Sequence, residues 1–286
     1  MRGSAASMAV LRPRSAAECV RLYRRSPDCV PLAGGTDFMV AWNMGGENGR
    51  TLLDLSRIRE WTRLRATPGA LQIGALASHT RIQRHPVARA RLPLLVQACA
   101  TIGGVQIQNR GTLGGNIANA SPAGDSFPAL AVYEAVVHAA SDTGPRAIRF
   151  LDVFAGVKRT TLRPGELIAA VEVPFPTPRP SRQMFRKVGT RAAQAISKIV
   201  AAGMLWLRRD GTVAELRFAL GSMAPTVRRL RAAEAFVRDR RLTPRVVDGA
   251  CERLAEDVAP IDDVRSTREY RLTVARNLLA AFLGGP

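Results

Sequence analysis

Lysine, histidine and aromatic residues are all scarce in this sequence, and each scarcity closes a line of function. Lysine occurs only at Lys158, Lys187 and Lys198, none of them in a Walker A pattern, which excludes a P-loop nucleotide site. The histidines, His79, His85 and His138, lack metal-ligand spacing and read as surface or packing residues. The cysteines, Cys19, Cys29, Cys99 and Cys251, form no C-x-x-C pair and match no zinc or cluster pattern. They read as reduced, mostly buried thiols. No G-x-G-x-x-G follows a strand, so a Rossmann dinucleotide site is not indicated. No apolar run is long enough to span a bilayer. Met1–Met8 carries no apolar signal core, and a cytoplasmic protein without a membrane span is expected.

Charge is the opposite case. The formal net charge is +19 from 42 Lys and Arg against 23 Asp and Glu, which invites a nucleic-acid reading. Against it, the arginines are scattered in pairs such as Arg24-Arg25 and Arg240-Arg241, and aromatics to stack bases make up only 5%. A GC-rich coding sequence also yields such an arginine excess. No nucleic-acid partner is expected; an acidic partner protein uses the charge better.

The chain of 286 residues, 47% apolar, is long for one core and suits two domains. It is organised around the stretch from Ala100 to Asp125, which holds Gly103, Gly104, Gly111, Gly114, Gly115 and Gly124 among asparagines and glutamines. Glycine lets main-chain N–H groups approach a ligand without a Cβ in the way, and successive N–H groups form a nest for an anion such as pyrophosphate. A plain Gly-rich turn system between strands is the alternative reading. A second cluster, Pro31, Leu32, Ala33, Gly34, Gly35, Thr36, Asp37 and Phe38, again pairs two glycines with a hydroxyl and a carboxylate.

Around these clusters the pattern is α+β. Ser15 caps a helix with Glu18 completing a capping box. Strands are predicted at 29–33, 51–55 and 70–75, and a helix over 82–102 with its start reset at Pro86 and Pro93. A strand is predicted around 131–139, a turn at 142–145, and strands at 146–150 and 167–173. Four prolines between Pro174 and Pro180 mark a stiff connector and the domain boundary. Beyond it, three antiparallel strands at 183–188, 201–208 and 213–220, with a hairpin turn at Asp210-Gly211, precede helices from 226 to 283. The expected division is 1–175, with lobes of about 1–55 and 56–175, followed by 176–286.

Two motifs in this order, Leu32-Ala-Gly-Gly-Thr-Asp37 and Asn109-Arg-Gly-Thr-Leu-Gly-Gly-Asn-Ile-Ala-Asn-Ala-Ser-Pro-Ala-Gly-Asp125, closely resemble the FAD-binding medium subunit of molybdenum hydroxylases. That family includes the flavin subunits of bacterial xanthine dehydrogenase and carbon monoxide dehydrogenase. The resemblance runs from about Leu11 to about Leu283. Some relatives, of the 4-hydroxybenzoyl-CoA reductase type, insert an iron–sulfur loop in this subunit; no Cys-rich insertion is present here. The fold implied is a two-lobed PCMH-type FAD-binding domain, like that of vanillyl-alcohol oxidase, followed by a C-terminal domain of three-stranded antiparallel sheet plus helices.

The resemblance also implies roles. Residues Pro31 to Phe38 would give backbone N–H groups to the FAD pyrophosphate, with the Thr36 hydroxyl adding a donor. Ile102 and the run Thr112, Leu113, Gly114, Gly115, Asn116 would wrap the other side. Asp125 would accept from sugar hydroxyls, its alternative being a turn cap before Phe127. Ile168 would pack on the cofactor. Lys187 would sit near the flavin ring and stabilise negative charge gained on reduction, its alternative being a solvated strand face. Gly34 and Gly114 are expected at positive φ, facing the ligand. The chain itself would hold no substrate site and no catalytic side chain. Molybdenum-pterin chemistry would lie on a large partner subunit, and a small partner with 2Fe-2S clusters would deliver electrons for transfer to NAD or another acceptor. A stand-alone FAD oxidoreductase of the same fold is the rival, weakened because neither motif holds a His or Tyr to act as base. A flavin-free scaffold is a third, opposed by intact glycine motifs.

Overall fold

The computed structural model describes residues 8–191 and 194–285. Its first lobe runs β1 (Val10–Leu11), α1 (Ala16–Arg25), β2 (Val30–Leu32), α2 (Phe38–Asn43) and β3 (Leu52–Asp54). The strands pair in parallel with β3 central, so each link must be a crossover, and α1 and α2 supply them. Ser15 Oγ accepts from the Glu18 N–H at 3.2 Å. The Glu18 carboxylate reaches the N–H of Arg14 at 2.7 Å, one residue before the capping-box partner. Cys19, Val20, Leu53, Ile58 and Trp61 form a small core beneath. In contrast α2 buries none of its residues.

The second lobe is built on β4 (Leu64–Ala66), β5 (Ala70–Gly74), α3 (His79–Arg84), α4 (Pro86–Arg91), α5 (Pro93–Thr101), α6 (Val105–Arg110), α7 (Leu113–Ala118), α8 (Phe127–Val132), β6 (Val136–Ser141), β7 (Gly144–Arg149), β8 (Phe154–Gly156), β9 (Arg159–Thr160) and β10 (Leu167–Pro174). Its five-stranded sheet is antiparallel throughout, in the order β4-β5-β10-β6-β7. The helix predicted over 82–102 is three helices, because Pro86 and Pro93 each sit in a first turn and cannot continue the preceding ladder. The strand predicted around 131–139 begins only at Val136. Phe127 to Val132 is α8, buried on every side, and a segment apolar all round carries no periodicity to separate helix from strand.

After β10 the connector is extended yet pinned. Phe175 N–H donates to Gly69 O and Trp206 Nε1 to Pro178 O, both at 2.8 Å. Then follow β11 (Arg182–Val188), β12 (Ile199–Leu207), β13 (Val213–Gly221), β14 (Arg228–Arg229), α9 (Arg231–Val237), α10 (Pro244–Asp257) and α11 (Arg268–Gly284). The three predicted strands gain β14 as a two-residue edge, giving an antiparallel sheet of four. Alternate residues of β12 enter different cores: Ala202, Met204 and Trp206 join the second lobe's, while Ile199, Ala201 and Leu205 pack under the C-terminal helices. One sheet is thereby clamped from both faces, and β11 is held against α5.

Candidate functional site

Past β2 the backbone turns through Ala33 to Asp37 before α2 begins. Gly35 takes φ 76°, a left-handed value that a Cβ disfavours. The N–H groups of Gly34, Gly35 and Thr36 meet no protein acceptor among the described residues. Three successive free donors on one half-buried loop form an anion-receiving concavity.

Within the second glycine cluster, the run Thr112–Asn116 works differently from expectation. Thr112 caps α7, its hydroxyl accepting from Gly115 N–H at 3.1 Å. Leu113 N–H donates to Ala77 O at 3.1 Å, Gly114 N–H to Ala75 O at 2.9 Å, and Asn116 N–H to Thr112 O at 2.9 Å. The N–H groups of Leu113, Gly114, Gly115 and Asn116 are therefore engaged within the protein, and this run offers side chains and close-packed surface instead of a nest, whereas those of Ile102, Gly103 and Gly104, in the wall of the larger cavity, meet no acceptor among the described residues. Gly34 and Gly114 are likewise not at positive φ; that conformation belongs to Gly35 and Gly103. A Cβ on Gly34 would stand 1.9 Å from Arg110 O, and one on Gly114 would stand 2.5 Å from Ala75 Cβ. Both glycines permit backbone to lie against backbone, and the Gly34 contact with Arg110 brings the two clusters together.

Two cavities flank this contact. The smaller, about 510 Å³, is lined by Pro31, Ala33, Gly114, Gly115 and Ile168 among others. The larger, about 1130 Å³, takes Asp37, Ile102, Asn116, Asp125 and Lys187. Gly34, Gly35 and Thr36 line neither cavity; their loop joins Ala33, in the wall of the smaller, to Asp37, in the wall of the larger. Leu32, Phe38, Thr112 and Leu113 line neither; Thr112 acts as the α7 cap and Leu113 is fully buried in the core.

In the larger cavity Lys187, on β11, donates to Asp125 Oδ2 at 2.6 Å and to Thr101 O at 2.8 Å. The two residues expected to serve a ligand separately are one buried ion pair. Asp125 Oδ1 is buried without a partner among the described residues. Burial pushes the Asp125 carboxyl above its ordinary value, partly offset by the Lys187 charge and by hydrogen bonds from Lys187 and Ser197. Asn116 Oδ1 accepts from Ser126 Oγ at 2.6 Å.

At the rim, Asp37 Oδ1 accepts from Asn119 Nδ2 at 3.0 Å, and Lys158 on the β8–β9 turn donates to Asn119 Oδ1. Sequence reading missed Asn119, Lys158 and Ser197, which all border the cavity. A usable signal existed for Lys158. In a chain with only three lysines, two line this one cavity. His79 is buried with Nδ1 unpartnered among the described residues, and burial depresses it to about 4. It backs Gly111 and faces neither cavity, a packing role.

Two cavities whose walls are joined by a loop of free donors fit a ligand with two bulky ends and an anionic bridge, and FAD has that form. The orphaned Asp125 oxygen supplies an acceptor for hydroxyls within the larger cavity. Among the described residues no metal-holding cluster of His, Cys, Asp or Glu is present, and no helix is long and apolar enough to cross a membrane.

Comparison with known proteins agrees with this geometry. Residues 6–176 match the family model "FAD binding domain in molybdopterin dehydrogenase", and residues 184–285 match "CO dehydrogenase flavoprotein C-terminal domain". The xanthine dehydrogenase FAD-binding subunit of Escherichia coli O157:H7 is 29% identical over 274 residues, covering 93% of this chain and 91% of that one. The fold superposes on carbon monoxide dehydrogenase from Hydrogenophaga pseudoflava with a TM-score of 0.91, at 27% identity, over 97% of this chain and 96% of that one. It superposes on quinoline 2-oxidoreductase from Pseudomonas putida 86 with a TM-score of 0.90, at 25% identity, over 99% and 97%.

Proposed function

Because this chain belongs to the family of FAD-binding subunits of the molybdenum hydroxylases, we propose that it is the electron-transfer flavoprotein of such a complex. It takes electrons from 2Fe-2S clusters on a small partner subunit, while a large molybdenum-pterin subunit oxidises the substrate. NAD or another oxidant collects the electrons. The observation that carries the cofactor reading is the donor loop Gly34–Thr36 joining the walls of two cavities.

Pro31 to Phe38 hold the pyrophosphate through the free N–H groups, with the Thr36 hydroxyl beside them. Ile168 packs the dinucleotide end in the smaller cavity, and Ile102 and Asn116 wall the larger one. Asp125 accepts from hydroxyls through its free Oδ1. Lys187 is held in place by Asp125 and Thr101, so its positive charge stays fixed at the cavity wall and favours an electron-rich ring. The flavin supplies the redox chemistry itself. Nothing in the larger cavity resembles a base positioned for substrate. Its lining holds no His or Tyr, which favours a relay over a self-sufficient oxidase.

Releasing the bound cofactor by heat and identifying it by chromatography tests this reading. FAD is expected. FMN, or no flavin after reconstitution, would overturn it.

A further inference from the structure

Three carboxylates line the larger cavity, Asp37, Asp125 and Asp263, and each has a cation beside it in the same wall. Asp125 meets Lys187, and Asp263 meets Arg265 and Arg271. Asp37 is placed differently. It directly follows the free N–H groups of Gly34, Gly35 and Thr36 and stands at the N-cap position of α2. A carboxylate there ordinarily accepts from the helix's own N–H groups, but Asp37 makes no such bond. Its Oδ1 turns instead to Asn119 Nδ2 at 3.0 Å and lies 3.8 Å from Lys158 Nζ. Asn119 joins the two charges, its amide N–H donating to the carboxylate and its amide oxygen accepting from the ammonium.

The backbone is strained to build this clasp. Lys158 takes φ 56° on the β8–β9 turn and Ala120 takes φ 46° just after α7, both in the left-handed region that a Cβ disfavours. The two residues are bonded directly, Lys158 N–H donating to Ala120 O at 2.9 Å. The ion pair does not offset such strain, because the Lys158 and Asp37 side chains are 52% and 66% exposed and exposed pairs contribute little to stability. Strain of this kind gathers where a ligand is handled. The donor loop supplies the reason. An unrestrained Asp37 carboxylate is an anion tethered one residue from three free N–H groups, where it would compete with a pyrophosphate and repel it.

We propose that Lys158 is a positioning residue for the pyrophosphate: through Asn119 it holds the Asp37 carboxylate off the donor loop and cancels its charge. The proposal rests on the FAD reading above. The two lysines of this cavity then have separate tasks. Lys187 is fixed deep in the wall by Asp125 and Thr101, whereas Lys158 works at the rim and acts through another residue.

The test titrates the flavin-free full chain with FAD, riboflavin and inorganic pyrophosphate. It compares wild type, Lys158→Ala, Lys158→Gln, Lys158→Arg, Asp37→Asn and the double variant Lys158→Ala/Asp37→Asn. Lys158→Ala should weaken FAD about tenfold, and pyrophosphate with it, while riboflavin, which has no phosphate, binds as it does to wild type. Lys158→Gln should repeat that result, so the comparison does not depend on one variant folding. Lys158→Arg keeps the charge and should recover most of the loss. With Asp37 already neutral, removing the lysine should weaken FAD by no more than about twofold, because no competing anion is left to restrain. A loss of equal size in both backgrounds overturns the proposal, since the lysine would then act without Asp37. Equal weakening of riboflavin also overturns it, as damage to the part of the cavity that every flavin uses. Wild type that binds pyrophosphate but not FAD rejects the functional reading instead, and the pyrophosphate series still judges the clasp. Wild type that binds neither overturns both.

Discussion

Lys187 and Asp125 lie 62 residues apart in sequence and meet at 2.6 Å in the wall of the larger cavity. One comes from the C-terminal sheet and the other from the Gly-rich segment, so the pair fastens two parts of the site together. Both side chains are about nine-tenths buried. Removing one member of such a pair leaves a desolvated charge without its counterion.

Asp125→Ala should therefore cost roughly 3 kcal/mol of stability, in line with broken buried pairs. The double variant Asp125→Leu/Lys187→Met should cost clearly less than its two single changes added together. Denaturant unfolding of the flavin-free protein measures all of them. Strict additivity would mean that the two groups are not coupled. The same variants should hold FAD less tightly, since Asp125 Oδ1 is the cavity's buried free acceptor.

His79 gives a pH dependence with a defined sign. Burial depresses it from 6.5 to about 4, so it stays neutral in the fold and gains a proton on unfolding. Stability should be full above pH 6.5, fall as pH drops through that value, and stop falling on this account below about 4. The span corresponds to on the order of 3 kcal/mol. His79→Gln should flatten the slope in that window whatever its effect on overall stability. An unchanged slope would show that another group titrates there.

Much of this arrangement was legible in the sequence where local chemistry decides it. The Ser15 cap, the strand ending at Leu32, the hairpin turn at Asp210-Gly211 and the paired motifs each need only neighbouring residues. The helices α6 and α7 were not legible. Six-residue helices in a glycine-rich run are not self-supporting, and α7 starts where it does because Ala75 and Ala77 accept its first N–H groups. The joining of Asp125 to Lys187 was hidden for the same reason, since β11 reaches α5 only through the two-faced packing of β12. The motif residues were recognised, but Gly34 and Gly114 do not take the expected positive φ, because close contact between backbones leaves the same glycine signature as a left-handed turn.

That distinction can be tested by adding a single carbon. Gly34→Ala places its Cβ on the Arg110 carbonyl and should cost roughly 1–3 kcal/mol from overpacking. Gly35→Ala meets no close atom but takes φ 76°, for about 1–2 kcal/mol of strain. Gly69→Ala enters open space and should stay within about 0.5 kcal/mol of wild type. Unfolding curves of the flavin-free protein rank the three. If Gly34→Ala loses FAD with no loss of stability, that glycine faces the ligand after all.

The two-cavity layout makes a sharper claim about which cofactor is accepted. FAD and FMN share the ring and ribityl chain, and FAD adds an adenosine end beyond the pyrophosphate. If the ring end occupies the larger cavity beside Lys187, the smaller cavity serves only the part that FMN lacks. Ala118 lines that smaller cavity, is exposed, and borders no part of the larger one. Ala118→Trp should then fill the smaller space without disturbing the core or the Lys187–Asp125 pair. FAD affinity should fall at least about tenfold, a change of 1.4 kcal/mol, whereas FMN affinity should be unchanged. Flavin fluorescence titration of the flavin-free protein with each cofactor separates the outcomes. Equal weakening of both would mean that the substitution damages the shared part of the site. Undiminished FAD affinity would show that the smaller cavity is not part of the cofactor site, and the donor loop would then lie at its edge.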